Sequence, residues 1–137
     1  MLLTIEKVLI LKSVEIFAEI PEEYLVEVAL ALNEDHVEAN QEVLRKGDLG
    51  TSLYIVVEGK VRVHDDEQTL VILGPREVFG DLAVLDPEPR VASVTAEEDS
   101  FLFRLDGRVL YELMSEHPGV ARGIIRMLCR RLRSLVD

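Results

Sequence analysis

The sequence predicts a mainly β domain with flanking α-helices: a jelly-roll-like β-roll that follows N-terminal helices and precedes two C-terminal helices. Three observations carry that prediction. First, Leu2 to Phe17 and Pro21 to Leu32 have helical spacing, with Leu25, Val28, Ala29 and Leu32 on one face. Pro21 suits a first helical turn, and Glu22 and Glu23 favour its positive end. Second, from His36 the pattern turns to short alternating or β-branched runs: Glu42–Arg45, Leu53–Val57, Lys60–His64, Thr69–Leu73, Val91–Ala96 and Phe101–Leu105. Turn signals close them: Gly47-Asp48 with Gly50, Glu58-Gly59, Asp65-Asp66, Gly74-Pro75, and the prolines at 87 and 89. Many short strands at this spacing suggest a sandwich or jelly roll. Third, Asp106 is placed to cap a helix reaching about Glu116, and Pro118 starts a longer one to about Val136. The expected boundaries are 1–35 for the N-terminal helices, 36–105 for the roll and 106–137 for the C-terminal helices, in a single domain.

A chain of 137 residues, 48% hydrophobic and 30% charged, is long enough for one substantial core. The formal net charge of -11 is unevenly spread. Residues 1–99 hold 22 acids and 8 bases, a net of -14; residues 100–137 hold 4 acids and 7 bases, a net of +3. A mainly acidic surface disfavours direct nucleic-acid binding, which phosphate contacts drive. The single cysteine, Cys129, excludes an internal disulfide and fits a reducing compartment, so a cytoplasmic protein is expected. Its helical apolar setting predicts a buried structural thiol. Glu6 and Lys7 interrupt the early apolar stretch, so no secretory signal is read. No apolar run reaches the roughly 18 residues of a membrane span, so no membrane insertion is expected.

The stretch "VFGDLAVLDPEPRVASV", Val78 to Val94, holds the candidate chemistry. Gly80 lets the backbone approach a ligand closely or take positive φ. Leu82 to Leu85 can form one helical turn, whose free N–H groups suit an anion. Arg90 offers a planar fork for a phosphate, and Ala92 and Ser93 keep the adjoining wall small. Asp81 would repel a phosphate but accept hydrogen bonds from sugar hydroxyls. One acid and one base so placed fit a ligand with both an anion and a hydroxyl, such as a nucleotide with an intact ribose. The plainer readings stay open beside this one: Arg90 as a solvated arginine on a strand edge, and Asp81 as a turn residue. Gly47, Gly59, Gly74 and Tyr54 read as fold-keeping. His36, His64 and His117 stand apart, without H-x-H or H-E-x-x-H spacing, so no metal site is expected. No Ser or Cys nucleophile has an evident His partner, so no catalytic residue is expected.

These residues carry a resemblance. "FGDLAVLDPEPRVAS" resembles the phosphate-binding cassette of the cyclic-nucleotide-binding domain family, F-G-E-[LI]-A-L, a loop, then P-R-x-A-[ST]. Its acid-to-arginine spacing matches that of protein kinase A regulatory subunits. "KGDLGTSLYIVVEGKVRV" (Lys46 to Val63) resembles the family's glycine-bracketed hairpin, and "SVEIFAEIPEEYLVEVALAL" resembles its N-terminal helical entry. The resemblance covers about Ser13 to Val136. It implies a β-roll with a cassette over residues 79–93. Arg90 would take the exocyclic phosphate oxygens, and the backbone N–H groups of Ala83 and Val91 would add to them. Gly80 and Asp81 would meet the ribose 2′-hydroxyl, with Leu82, Ala92 and Ser93 completing the cassette. The C-terminal helix would close over the base. The family acid is usually Glu, and Asp81 is one methylene shorter. Val91 stands where cGMP-selective members often have Thr, which leans toward cAMP over cGMP.

The expectation is therefore a non-enzymatic regulatory module that binds a cyclic nucleotide and no other cofactor. It would relay binding through its C-terminal helices to an effector in a larger chain or in a partner protein. The alternative is a degenerate, non-binding domain of the same fold with a structural or dimerisation role. A catabolite-activator-like transcription factor is disfavoured, because no helix-turn-helix follows before Asp137. The apolar opening and abrupt ends lead us to expect a piece of a longer chain. On the last helix, Ile125, Leu128, Leu132 and Leu135 form an apolar stripe, and Arg122, Arg126, Arg130 and Arg133 another face. The stripe is read either as cover for the roll or as the seam of a homodimer. The arginines are read as a solvated face or a partner surface.

Overall fold

The computed structural model describes residues 2–18, 20–80, 84–86 and 89–136. It resolves into two compact units, a helical one (Met1–Ala31 with Arg108–Asp137) and a β one (Leu32–Gly107).

In the helical unit, α1 spans Thr4–Lys12 and α2 spans Glu22–Ala31, with a 3₁₀ turn at Glu15–Phe17 between them. The sequence reading ran one helix from Leu2 to Phe17. The chain instead breaks at Ser13, whose backbone N–H and hydroxyl both donate to the Ile10 carbonyl, at 3.0 and 2.6 Å. Such local side-chain bonding competes with helix continuation. Lys12 pairs with Glu22 across α1 and α2, holding the Glu22 carboxyl below its usual range. The last two helices are α3, Gly107–Glu116, and α4, Pro118–Val136. The face that α4 buries is Val120, Gly123, Ile124 and Met127. Of the two readings of the stripe, cover for the core is not what this unit shows. Ile125, Leu132 and Leu135 are 60%, 64% and 84% exposed, so they add nothing to the core of this unit. Cys129, expected buried, is half-buried. Arg130 pairs with Glu15 of the 3₁₀ turn, which takes one member of the arginine face out of a purely solvated role.

Among the described residues the β unit holds eight strands: β1 (Asn33–Val37), β2 (Glu42–Leu44), β3 (Ser52–Glu58), β4 (Val61–Asp65), β5 (Gln68–Leu73), β6 (Val78–Phe79), β7 (Ser93–Ala96) and β8 (Ser100–Asp106). They form two antiparallel four-stranded sheets, ordered β1-β8-β3-β6 and β2-β7-β4-β5. Six strands match expected runs to within two residues. Two were not expected. β1 is polar (Asn-Glu-Asp-His-Val), and pairing with β8 makes it a strand: Asn33 opposite Arg104 through Val37 opposite Ser100. An ion pair fixes that register, Arg104 Nε donating to Asp35 Oδ2 at 2.9 Å. β6 is two residues long, too short for any periodicity to show.

Alternation along the paired strands sorts their side chains. One face carries Val56, Phe79 and Leu102 from the first sheet and Val61, Val94 and Ala96 from the second, joined by Val37. Leu44, Tyr54, Val63 and Leu73 are half-buried against that cluster. Leu53, Ile55, Phe103 and Leu105, on the other face of β3 and β8, are also fully buried. These strands therefore read as continuous apolar runs, and both their faces are protected. By contrast, β5 is a sheet edge with Leu70, Val71 and Ile72 exposed.

Candidate functional site

The site is built where β6 ends. Tyr54 of β3 lies opposite Phe79 in the register, and their rings stack at 5.0 Å. That contact anchors the short strand. Burial pushes the Tyr54 phenol above its ordinary value, and the Arg104 guanidinium pulls against it. Immediately after Phe79, the chain turns at Gly80 with φ +78°. A side chain is disfavoured there for a second reason: a Cβ would lie 2.7 Å from Arg90 Nη1 and 3.1 Å from the Ser52 carbonyl oxygen.

Arg90 occupies the space that Gly80 leaves. Its guanidinium donates from Nη1 to the Gly80 carbonyl at 2.7 Å and from Nη2 to the Ser52 carbonyl at 3.0 Å. The residue is only 7% exposed. The reading of Arg90 as a solvated strand-edge arginine is therefore set aside: a buried guanidinium is costly unless it is hydrogen-bonded, and here it is. The backbone is held as firmly. Arg90 N–H donates to the Asp48 carbonyl at 2.7 Å, and Gly47 N–H donates to the Arg90 carbonyl at 2.9 Å. An isolated bridge joins Leu49 to Pro89. The loop after β2 thus clasps the segment before β7. One further contact extends the clasp, with Ser93 Oγ accepting from the Lys46 N–H at 2.9 Å.

Of the eight residues predicted for the site, Gly80 and Arg90 are brought into direct contact. Ser93 is buried at the start of β7, and Ala92 is half-buried beside it. Val91 is 78% exposed and lies before the strand rather than in it, which shortens the expected Val91–Ala96 run to Ser93–Ala96. Asp81, Leu82 and Ala83 lie outside the described residues. Just after them, Val84 and Leu85 are helical and Val84 is buried, in line with the short turn expected there.

Sequence reasoning missed Gly50 and the carbonyl of Ser52. A Cβ on Gly50 would meet three Arg90 atoms, Cζ at 2.2 Å, Nε at 2.3 Å and Nη2 at 2.5 Å. In the sequence Gly50 shows only as turn punctuation. Its spacing from Gly47 was visible, but its partner lies forty positions away. Among the described residues, no three His, Cys, Asp or Glu side chains converge to hold a metal. His64 instead donates from Nδ1 to the Asp66 carbonyl at 2.7 Å and bonds Thr95 Oγ1 through Nε2 at 2.8 Å. Among the described residues, no helix is long and apolar enough to cross a membrane.

The profile of the cyclic nucleotide-binding domain matches residues 34–117, which hold the whole clasp. The cyclic AMP receptor protein of Thermus thermophilus is 41% identical over 96 residues, 66% of this chain and 44% of that protein. The chain thus spans less than half the length of this curated relative. The N-terminal domain of a transcriptional regulator from Streptomyces coelicolor superposes with a TM-score of 0.76 at 32% identity, covering 93% of each chain. The regulatory domain of Toxoplasma gondii PKA, solved with cAMP, superposes with a TM-score of 0.74 at 32% identity, over 80% of this chain and 43% of that one. The family is a regulatory, ligand-binding one rather than a catalytic one. This β-roll, whose buried Arg90 is clasped against Gly80 and which that family's profile matches over residues 34–117, belongs to the cyclic nucleotide-binding domain family.

Proposed function

We propose that this chain binds cAMP at the loop from Gly80 to Ser93 and relays binding through its C-terminal helices to an effector, attached or docked. One observation carries the reading: the Arg90 guanidinium is fixed against Gly80, where the cassette strand ends. The guanidinium is planar, permanently charged and forked, so it can exchange carbonyl acceptors for the two exocyclic oxygens of a cyclic phosphate. The second sheet supplies a surface for the base. Val63 lies opposite Val71 and Val61 opposite Leu73, which puts half-buried Val63 and Leu73 and exposed Val71 on one apolar face. Asp81 would accept the ribose 2′-hydroxyl. The names of the relatives favour cAMP, and Val91 in place of Thr leans the same way. The relay to an effector is supported by the fact that the matched segment is under half of the Thermus protein, which leaves room for a coupled domain there.

Calorimetric titration with cAMP and cGMP, with Arg90→Ala as control, tests the reading. We expect saturable binding of cAMP, weaker binding of cGMP, and loss of both in the variant. A second reading, a structural module that binds no nucleotide, is favoured by the burial of Arg90. Absence of binding heat at millimolar cAMP, with the protein folded, would establish that second reading and sink the first.

A further inference from the structure

We propose that the exposed end of α4 docks on α2 of a second copy of this chain, each copy giving its α4 to the other's α2. Two exposed faces of the helical unit lead to this, one acidic and one basic.

The acidic face belongs to α2, which carries Glu22, Glu23 and Glu27 and no Lys or Arg. The helix buries Leu25, Val28 and Ala29, yet its outer side is not wholly polar, since Val26 and Leu30 are exposed. These two stand four positions apart and share a face, and Glu23 and Glu27 run beside them at the same spacing. Lys12 holds Glu22, whereas Glu23 and Glu27 have no ion-pair partner among the described residues.

The basic face belongs to α4. Between Pro118 and Val136 the helix carries five arginines and no Asp or Glu. From Arg130 to Val136 every residue is exposed, and Ile125, Leu132 and Leu135 form the apolar strip of this end. Arg130 is held by Glu15, whereas Arg122 and Arg133, on either side of Ile125 and Leu132 in the chain, have no ion-pair partner among the described residues.

The two faces fit each other better than either fits itself. Both present apolar side chains bordered by charge, and the borders have opposite sign. Two α4 helices side by side would bring five arginines from each together, with no acid on either helix. Two α2 helices would set glutamates against glutamates. Like charges on adjacent helix positions destabilise about as much as opposite charges stabilise. The lengths also match: the ten residues of α2 extend about 15 Å, and Ile125–Val136 about 18 Å. Both faces are open within one copy, so a second copy supplies the cover, and reciprocal exchange closes the pair about a two-fold axis. The end of α4 would then rest on the N-terminal helices of the other copy.

The test is sedimentation of the whole chain, with circular dichroism to confirm that each variant is folded. One variant reverses the acidic face, Glu23→Arg with Glu27→Arg. A second reverses the basic face, Arg122→Glu with Arg133→Glu. The control, Glu67→Arg with Glu98→Arg, alters two exposed glutamates of the β unit and changes net charge as the first variant does. We expect wild type and control to dimerise, and each reversed variant to dissociate about tenfold or more readily. Mixing the two reversed variants should restore a dimer, because one interface is then native and the other has both signs exchanged. Raising salt should weaken the wild-type dimer. An acidic-face variant that dimerises as well as wild type overturns the proposal and assigns the stripe to an α4–α4 seam. A monomeric wild type at high concentration overturns it as well, as does a mixture of folded variants that forms no dimer.

Discussion

Replacing Arg90 with alanine should destabilise the free domain, in addition to any loss of binding. Among the described residues the side chain makes charge-assisted hydrogen bonds to the Gly80 and Ser52 carbonyls, and Arg90 is nearly buried. Bonds of this kind contribute about 1.5–3 kcal/mol each, so this pair is worth about 3–6 kcal/mol before any relaxation. Water entering the emptied space would satisfy part of both carbonyls, which brings the expected loss to about 2–4 kcal/mol. That is a large share of the 5–15 kcal/mol typical of a domain. Urea unfolding, followed by circular dichroism, reads it directly: the midpoint should fall with the slope unchanged. Arg90→Lys should fall between, because an ammonium keeps the charge but lacks the planar fork that reaches two acceptors at once. A folded Arg90→Ala within about 0.5 kcal/mol of wild type, the usual range for surface substitutions, would refute the reasoning and return Arg90 to a solvated residue.

Three other predictions follow from separate features. Asp81→Glu should tighten cAMP binding by about 1 kcal/mol, less than a full charged hydrogen bond because water can already bridge the shorter acid to the ribose; a 2′-deoxy analogue should show no such gain, and equal gains for both ligands would remove Asp81 from ribose recognition. Leu132→Glu should leave stability within about 0.5 kcal/mol, since Leu132 is 64% exposed, but should weaken self-association measured by sedimentation; a wild type that stays monomeric at high concentration would dissociate this stripe from dimer formation. Tyr54 should make the domain sensitive to alkali. Its folded phenol titrates above the ordinary 10.0, chiefly through burial, so the folded state holds its proton more firmly than the unfolded chain does. The resulting stability is fully present below pH 10.0 and is lost as pH rises through the folded value. Tyr54→Phe should flatten that part of the stability–pH curve, and an unchanged slope would mean that other groups cause it.

Much of this protein was legible in its residues because much of its information is local. Pro118, followed by an unbroken helical pattern, placed α4 from Pro118 to Val136, as observed. Glu58-Gly59 marked the turn that carries the chain from β3 to β4 in the other sheet, and Asp65-Asp66 the hairpin between β4 and β5. Gly80 was expected to let the backbone approach a ligand or to take positive φ, and its φ is +78°. The cassette spelled out its family because its glycine, acid and arginine fall at fixed spacing on one loop.

What required the tertiary structure is all long-range. The polar run Asn33–Val37 has no strand pattern of its own and is a strand because β8, some seventy residues on, lies beside it. The apolar stripe of α4 stayed open between cover for the roll and a dimer seam, because periodicity shows which residues share a face but not what that face meets; the face buried within this unit is Val120, Gly123, Ile124 and Met127. Arg90 was legible as a charge beside a glycine, but its environment was not. The acceptors it uses are carbonyl oxygens of Gly80 and Ser52, which every residue type carries and no sequence pattern distinguishes. The notch that receives it is a missing side chain at Gly50, forty positions away. Residue types and their spacing determined the fold and the family of this chain, since propensity, turn chemistry and helix starts act within a few residues. That the cassette arginine lies against the Gly80 and Ser52 carbonyls was decided only when folding brought β3, β6 and the loop after β2 around it.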